Sequence, residues 1–151
     1  MLRYQSTGEL HKDFHRLTCN TLHYLQDNFG DDAVEEVLKN TAQGVYKTIY
    51  EKLSAGDASE LIEFWDYYLK RENGDYSIEH LDNEIRLIVH DCPMLRHLVK
   101  TGGTPDEIVC KATKIFNEAL CENSPFVSSV EKTGEFSCMQ ILKKGGNHDS
   151  K

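Results

Sequence analysis

Positive charge is in short supply: 17 Lys and Arg stand against 25 Asp and Glu in 151 residues, so the formal net charge is -8 with the seven histidines neutral. A field of that sign repels polyanions, which argues against nucleic acid or an anionic membrane surface as partner. No apolar run approaches the ~20 residues that span a bilayer, so no membrane segment is expected. The opening MLRYQSTGELHKD does not resemble a secretory leader. Gly-rich phosphate loops, a nucleophile-elbow serine and a zinc-protease helix motif are all missing, as are internal repeats and any linker of the kind that separates domains. The hydrophobic share of 39% and charged share of 28% are those of an ordinary globule. At this length the fold buries roughly 70% of its unfolded surface, enough for a core without disulfides or a structural metal.

Cysteine is the exception to this scarcity. Cys19, Cys92, Cys110, Cys121 and Cys138 are odd in number, which speaks against a disulfide framework and for reduced thiols in a cytoplasmic setting. They are read as core fillers, metal ligands or nucleophiles.

Three helices are expected first. Between about Gly8 and Phe29, the residues Leu10, Phe14, Leu17, Thr18, Thr21, Tyr24 and Leu25 fall on one arc at about 100° per residue. Asp32 with Glu35 suggests a capping box for a second helix, whose stripe runs Val34, Val37, Leu38, Thr41, Ala42, Val45, Ile49 and Leu53. Asp57 and Glu60 start a third, which carries Leu61, Trp65 and Leu69 and ends near Asn73 and Gly74. Alternation then replaces the helical period. Tyr76 to Leu81 and Glu84 to His90 read as a hairpin turning at Asp82 and Asn83, with Ile85, Leu87 and Val89 on one face. Pro93 opens a short helix. Thr104, Pro105 and Glu107 are expected to cap, open and brace the next, which runs to about Cys121. Strands Phe126 to Lys132 and Glu135 to Lys143 follow. The expectation is one α+β domain over residues 1–144, its helices packed on a small, mainly antiparallel twisted sheet of about four strands, with a disordered tail over 145–151.

Several positions could carry chemistry. On the first helix His11, His15, Cys19 and His23 recur every four residues in a slanted row, so neighbours could share a metal, zinc being the ion for such donors, or the row could be a polar flank. His15 is the member expected to face an interior pocket. Cys92 is predicted at the N-cap before Pro93, where backbone N–H groups and the helix dipole favour a thiolate. The alternative is a small side chain buried at a strand-to-helix corner. His97 lies one turn on. Along the helix after Pro105, Cys110, Asn117 and Cys121 share the side opposite the apolar arc, either to meet a second surface or as a lightly covered outer face. Cys138 is placed in the last strand with Phe136, Gln140 and Leu142. Trp65, with Tyr67 and Tyr68, is a core residue or the wall of a pocket for a planar ligand.

The run VHDCPMLRHL, the helix CKATKIFNEALCE and the hairpin end GEFSCMQILKK, with KDFHRLT and WDYYLKRENGD upstream, resemble a family of small bacterial proteins related to L-2-amino-thiazoline-4-carboxylic acid hydrolase, within the wider 4-vinyl-reductase-like group. The resemblance implies a ligand pocket between helices and sheet, with Cys92, Cys110 and Cys138 at the positions of that group's cysteines, and a homodimer formed through the helical layer. Two functions are expected from it. One is a hydrolase opening a small cyclic amidine or thiazoline at a C–N or C–S bond, with Cys92 as nucleophile or metal ligand, His15 or His97 as proton carrier and Asn117 as hydrogen-bond donor. The other is a sensor or carrier domain that binds a small molecule at the same residues, with Cys110, Asn117, Cys121, Cys138 and Trp65 around the ligand and a zinc ion held by thiolates.

Overall fold

Asn73 turns the chain out of the helical half and into the sheet through a left-handed conformation (φ 54°), which asparagine tolerates better than most side chains. The computed structural model describes residues 13–145; His11 and the tail beyond Gly145 lie outside them. The elements are α1 (Asp13–Phe29), α2 (Asp31–Asn40), a π-helical turn (Thr41–Val45), α3 (Lys47–Ser54), α4 (Ser59–Arg71), β1 (Asp75–Leu81), β2 (Glu84–Asp91), α5 (Pro93–Lys100), α6 (Glu107–Cys121), β3 (Phe126–Lys132) and β4 (Cys138–Lys144). The sheet is antiparallel throughout, in the order β1-β2-β4-β3. This is the α+β fold expected, and no described helix is long and apolar enough to cross a membrane.

Register places the inner face. Leu87 pairs with Gln140, Val89 with Cys138 and Ile85 with Leu142, and on the other side of β4 Gln140 pairs with Val130 and Cys138 with Lys132. One face of the sheet therefore presents Leu87, Val89, Val130, Cys138, Gln140 and Leu142 to the helices, because residues on a strand alternate sides. α6 packs against β3 on one side and against α2 and the π turn on the other, so it is buried nearly all round. Leu53, Leu61, Leu87, Leu120 and Leu142 are the most deeply buried large side chains, and they join α3, α4, β2, α6 and β4 into one core.

Five expectations change. On α1 the buried residues are His15, Cys19 and Leu22, while Phe14, Leu17 and Tyr24 are exposed; the row with two polar members faces inward because its partners, Glu72 and Asp106, arrive from α4 and α6. The second helix is not continuous. Tyr46 donates its N–H to the Thr41 carbonyl five residues back, and this wide turn throws Val45 out to solvent while Ile49 and Leu53 stay in the core. Asp32 does not cap α2; the cap position is Gly30, in a left-handed conformation (φ 86°), so the helix begins two residues earlier and Asp31 ties Gln26 to Lys111 instead. Thr104 does not cap α6 either. Asp106 does, accepting from the Ile108 N–H at 3.1 Å, since a carboxylate two residues closer to the first free N–H groups is the better acceptor. β4 starts at Cys138 rather than Glu135, because Thr133 and Gly134 both donate to the Ser137 carbonyl and close a loop over 133–137.

Candidate functional site

A cavity of about 390 Å³ lies between the helical layer and the inner face of the sheet. α1 contributes His15, α4 Trp65, the C-cap of α4 Glu72, the β2–α5 corner Cys92, α6 Cys110, Phe116 and Asn117, and β4 Cys138 and Gln140. Of the residues singled out from sequence, His15, Trp65, Cys92, Cys110, Asn117 and Cys138 thus come together around one space. Two do not line it. Cys121 is buried in the core, where its thiol meets Ser128 of β3. His97 stands behind His15, the ring centroids 5.9 Å apart, and its buried Nε2 has no hydrogen-bond partner.

The polar groups are few and placed at distinct points. His15 Nε2–H donates to Glu72 Oε1, and both side chains are only 8% exposed. Asn117, itself buried, donates its amide N–H to Gln140 Oε1 at 2.8 Å across the helix–sheet gap. Lys132 at the rim pairs with Glu107. Aromatic rings form the remaining wall: Tyr46 meets Phe64 and Phe116 edge-on at centroid distances of 5.2 Å each, and Phe64 meets Tyr68 at 4.7 Å. Edge-to-face and tilted packing of this kind favours fixed relative orientations of the rings.

Cys92 occupies the N-cap of α5 with Pro93 at the first helical position, as the sequence predicts. Its own N–H donates to the Phe136 carbonyl at 2.7 Å, and the Arg96 guanidinium covers the Phe136 ring at 3.7 Å, so the 133–137 loop is fixed over the corner. The thiol is not activated as expected. Burial pushes it up, and the N–H groups of Leu95 and Met94 only partly offset that. Cys110 is also raised by burial, with Lys132 acting the other way. Cys138 is pushed up to about 11 by burial first and by its neighbours Cys92 and Cys110 second. Nor are the three thiols gathered for an ion: among the described residues, the only group of three or more metal-ligating side chains with all ligand atoms within 4.8 Å is Cys19, His23 and Asp106.

A pH dependence follows from these thiols. An acid whose folded pKa lies above its ordinary value keeps its proton longer in the folded state, so stability falls as the unfolded chain begins to ionise. For Cys138 that window runs from 9.0 to about 11. Alkylation of native Cys138, followed by peptide mapping, should stay slow at pH 8 and accelerate only toward pH 10–11; half-maximal labelling near pH 8.5, as for a free thiol, would contradict the burial.

Glu72, Gln140 and Asp106 were not recognisable as site residues. Glu72 and Gln140 are single polar residues whose partners lie 57 and 23 positions away. Asp106 carried a local signal, an Asp ahead of an apolar helical stripe, that the neighbouring Thr-Pro pair obscured. The chain matches no protein-family model, no curated protein and no solved structure.

Proposed function

We propose that the protein is a small-molecule-binding domain whose ligand is compact, largely apolar and planar, with one hydrogen-bonding or cationic group directed at the His15–Glu72 pair. The observation that carries this reading is the cavity itself, fed by helices and sheet alike and lined mostly by apolar side chains. Its volume of about 390 Å³ falls at the lower end of the roughly 300–1,000 Å³ of small-molecule sites, which characteristically combine apolar walls with a few fixed polar groups. Glu72 is the single carboxyl group in the lining, and a buried carboxyl favours an amidine or amine partner. Thiols held in the neutral form by burial suit contact with an apolar ligand better than nucleophilic attack.

A ligand that binds only the folded chain stabilises it by about 2.7 kcal/mol at a hundred times its Kd. Thermal unfolding with a panel of planar amidines and their neutral isosteres should therefore show a rise for the amidines, and Ala112→Phe, which fills the cavity from α6, should remove it while leaving a cooperative transition. No stabilisation by any compound, or equal stabilisation of the filled variant, would overturn the reading.

One observation favours a second reading at the same place, the hydrolase of a cyclic amidine or thiazoline. His15 is oriented by a buried Glu72 on the cavity wall shared with Cys92, an arrangement that would let the imidazole take a proton from water or from the thiol as either adds to the ring carbon between nitrogen and sulfur. Ring opening by the purified chain, lost in Cys92→Ser, would establish it; turnover unaffected by that change would remove Cys92 from the mechanism. The homodimer belongs to the same proposal, supported by the exposed Phe14, Leu17, Tyr24 and Phe29 along α1.

A further inference from the structure

Outside the ligand cavity, α1 and the start of α6 bring three donor groups of different chemistry to one point. Cys19 and His23 are four apart on α1 and so lie one turn apart on the same face. Asp106, the N-cap of α6, uses Oδ1 to hold the Ile108 N–H. Its other oxygen has no role in the cap. That Oδ2 lies 3.1 Å from Cys19 Sγ and 2.6 Å from His23 Nε2, and all three ligand atoms fall within 4.8 Å of one another.

We infer that Cys19, His23 and Asp106 form a binding site for a divalent ion of the zinc class, with a fourth coordination position facing the adjoining cleft. One thiolate, one imidazole and one carboxylate are ligands that zinc accepts, and three protein ligands with an open position are the pattern of sites that take a water or an exogenous group. Bond lengths of about 2.0–2.3 Å around a tetrahedral ion separate its ligand atoms by roughly 3.3–3.5 Å, so the two distances to Asp106 Oδ2 need to open by less than about 1 Å. Burial sorts the ligands. Cys19 is buried, whereas the side chains of His23 and Asp106 are 42% and 26% exposed, so the ion would rest on α1 with its accessible side outward. A second cavity, of about 570 Å³, lies on that side and is lined by His23, Asp106, Cys110, Lys132 and Cys138. Cys110, Lys132 and Cys138 also line the inner cavity. The site therefore adjoins the ligand-binding space without sharing its polar anchors. In the metal-free protein the Cys19 thiol donates to Asp106; on binding, the S–H bond breaks, the sulfur electron pair forms the metal bond and the proton passes to solvent.

The test is cobalt(II) titration of the full chain, purified free of metal. Expected is one ion per chain, a thiolate-to-cobalt charge-transfer band in the near ultraviolet, release of a proton, and displacement by zinc. Because Cys19 is buried in the core and its substitution confounds binding with folding, two further variants carry the test: His23→Ala at a half-exposed position, and Asp106→Asn, which keeps a capping side chain but removes the carboxylate. Each should weaken binding by more than about tenfold, since even outer-shell changes cost that much, and the band should persist in Cys92→Ser. Absence of the band, affinity unchanged in His23→Ala and Asp106→Asn, or loss of the band in Cys92→Ser would each overturn the assignment.

Discussion

His15→Leu is expected to lower the unfolding free energy by about 3 kcal/mol, because it leaves the Glu72 carboxyl buried without its imidazole partner while keeping the side-chain volume. For a chain of this size that is a fall of roughly 6–12 °C in Tm, measurable by calorimetry or by urea unfolding at constant slope. The interaction connects α1 to the end of α4 over 57 residues of sequence, so nothing local compensates for its loss. The companion variant separates the value of the pair from the cost of breaking it. His15→Leu combined with Glu72→Leu should recover most of the stability, as apolar replacement of a buried polar pair commonly does. A loss below about 1 kcal/mol in the single variant would mean that water reaches Glu72. A double variant no better than the single would mean that the pair itself stabilises the fold.

Leu120→Ala should cost about 3–5 kcal/mol, and more than Phe116→Ala, although phenylalanine is the larger side chain. The reversal comes from where each points on α6. Leu120 is fully buried among Leu53, Leu61, Leu87 and Leu142, so truncation opens a void that close-packed neighbours fill poorly. Phe116 already borders an existing cavity and is held on one side by the Tyr46 ring; removing it enlarges that space and forfeits an edge-to-face contact of about 1 kcal/mol. Denaturant unfolding of the two variants decides the order. If Phe116→Ala were the more damaging, the space beside it would have to be packed like the core.

These two positions show what the sequence made legible. The period of α6 and the alternation in β2 were readable because burial imposes them residue by residue, and so the helix-on-sheet layering and the hairpin followed. Cys92 before Pro93 was readable as a cap for the same local reason. What could not be read was decided across the layers. The thiol of Cys92 was expected to gain acidity from the helix terminus, but the degree of burial, which sets the balance, depends on α6 and the 133–137 loop folding over it. The side of α1 that turns inward was likewise settled by Glu72 and Asp106, which lie 57 and 83 or more positions from their partners. An apolar arc alone pointed the other way.

The π-helical turn over Thr41–Val45 carries a consequence for how this chain tolerates changes in length. One additional residue is accommodated in that turn, and it sets the rotation between Val34 upstream and Ile49 and Leu53 downstream. Deleting one residue from it would restore an uninterrupted α-helix without turning the downstream face, because the wide turn already absorbs the roughly 100° that the extra residue would otherwise add. Ile49 and Leu53 would keep their places beside Leu61 and Leu120. Tightening the turn into α-helix with all its residues kept would instead rotate everything after it by about 100° and swing both side chains out of the core. The segment therefore tolerates the loss of a residue better than the loss of its width.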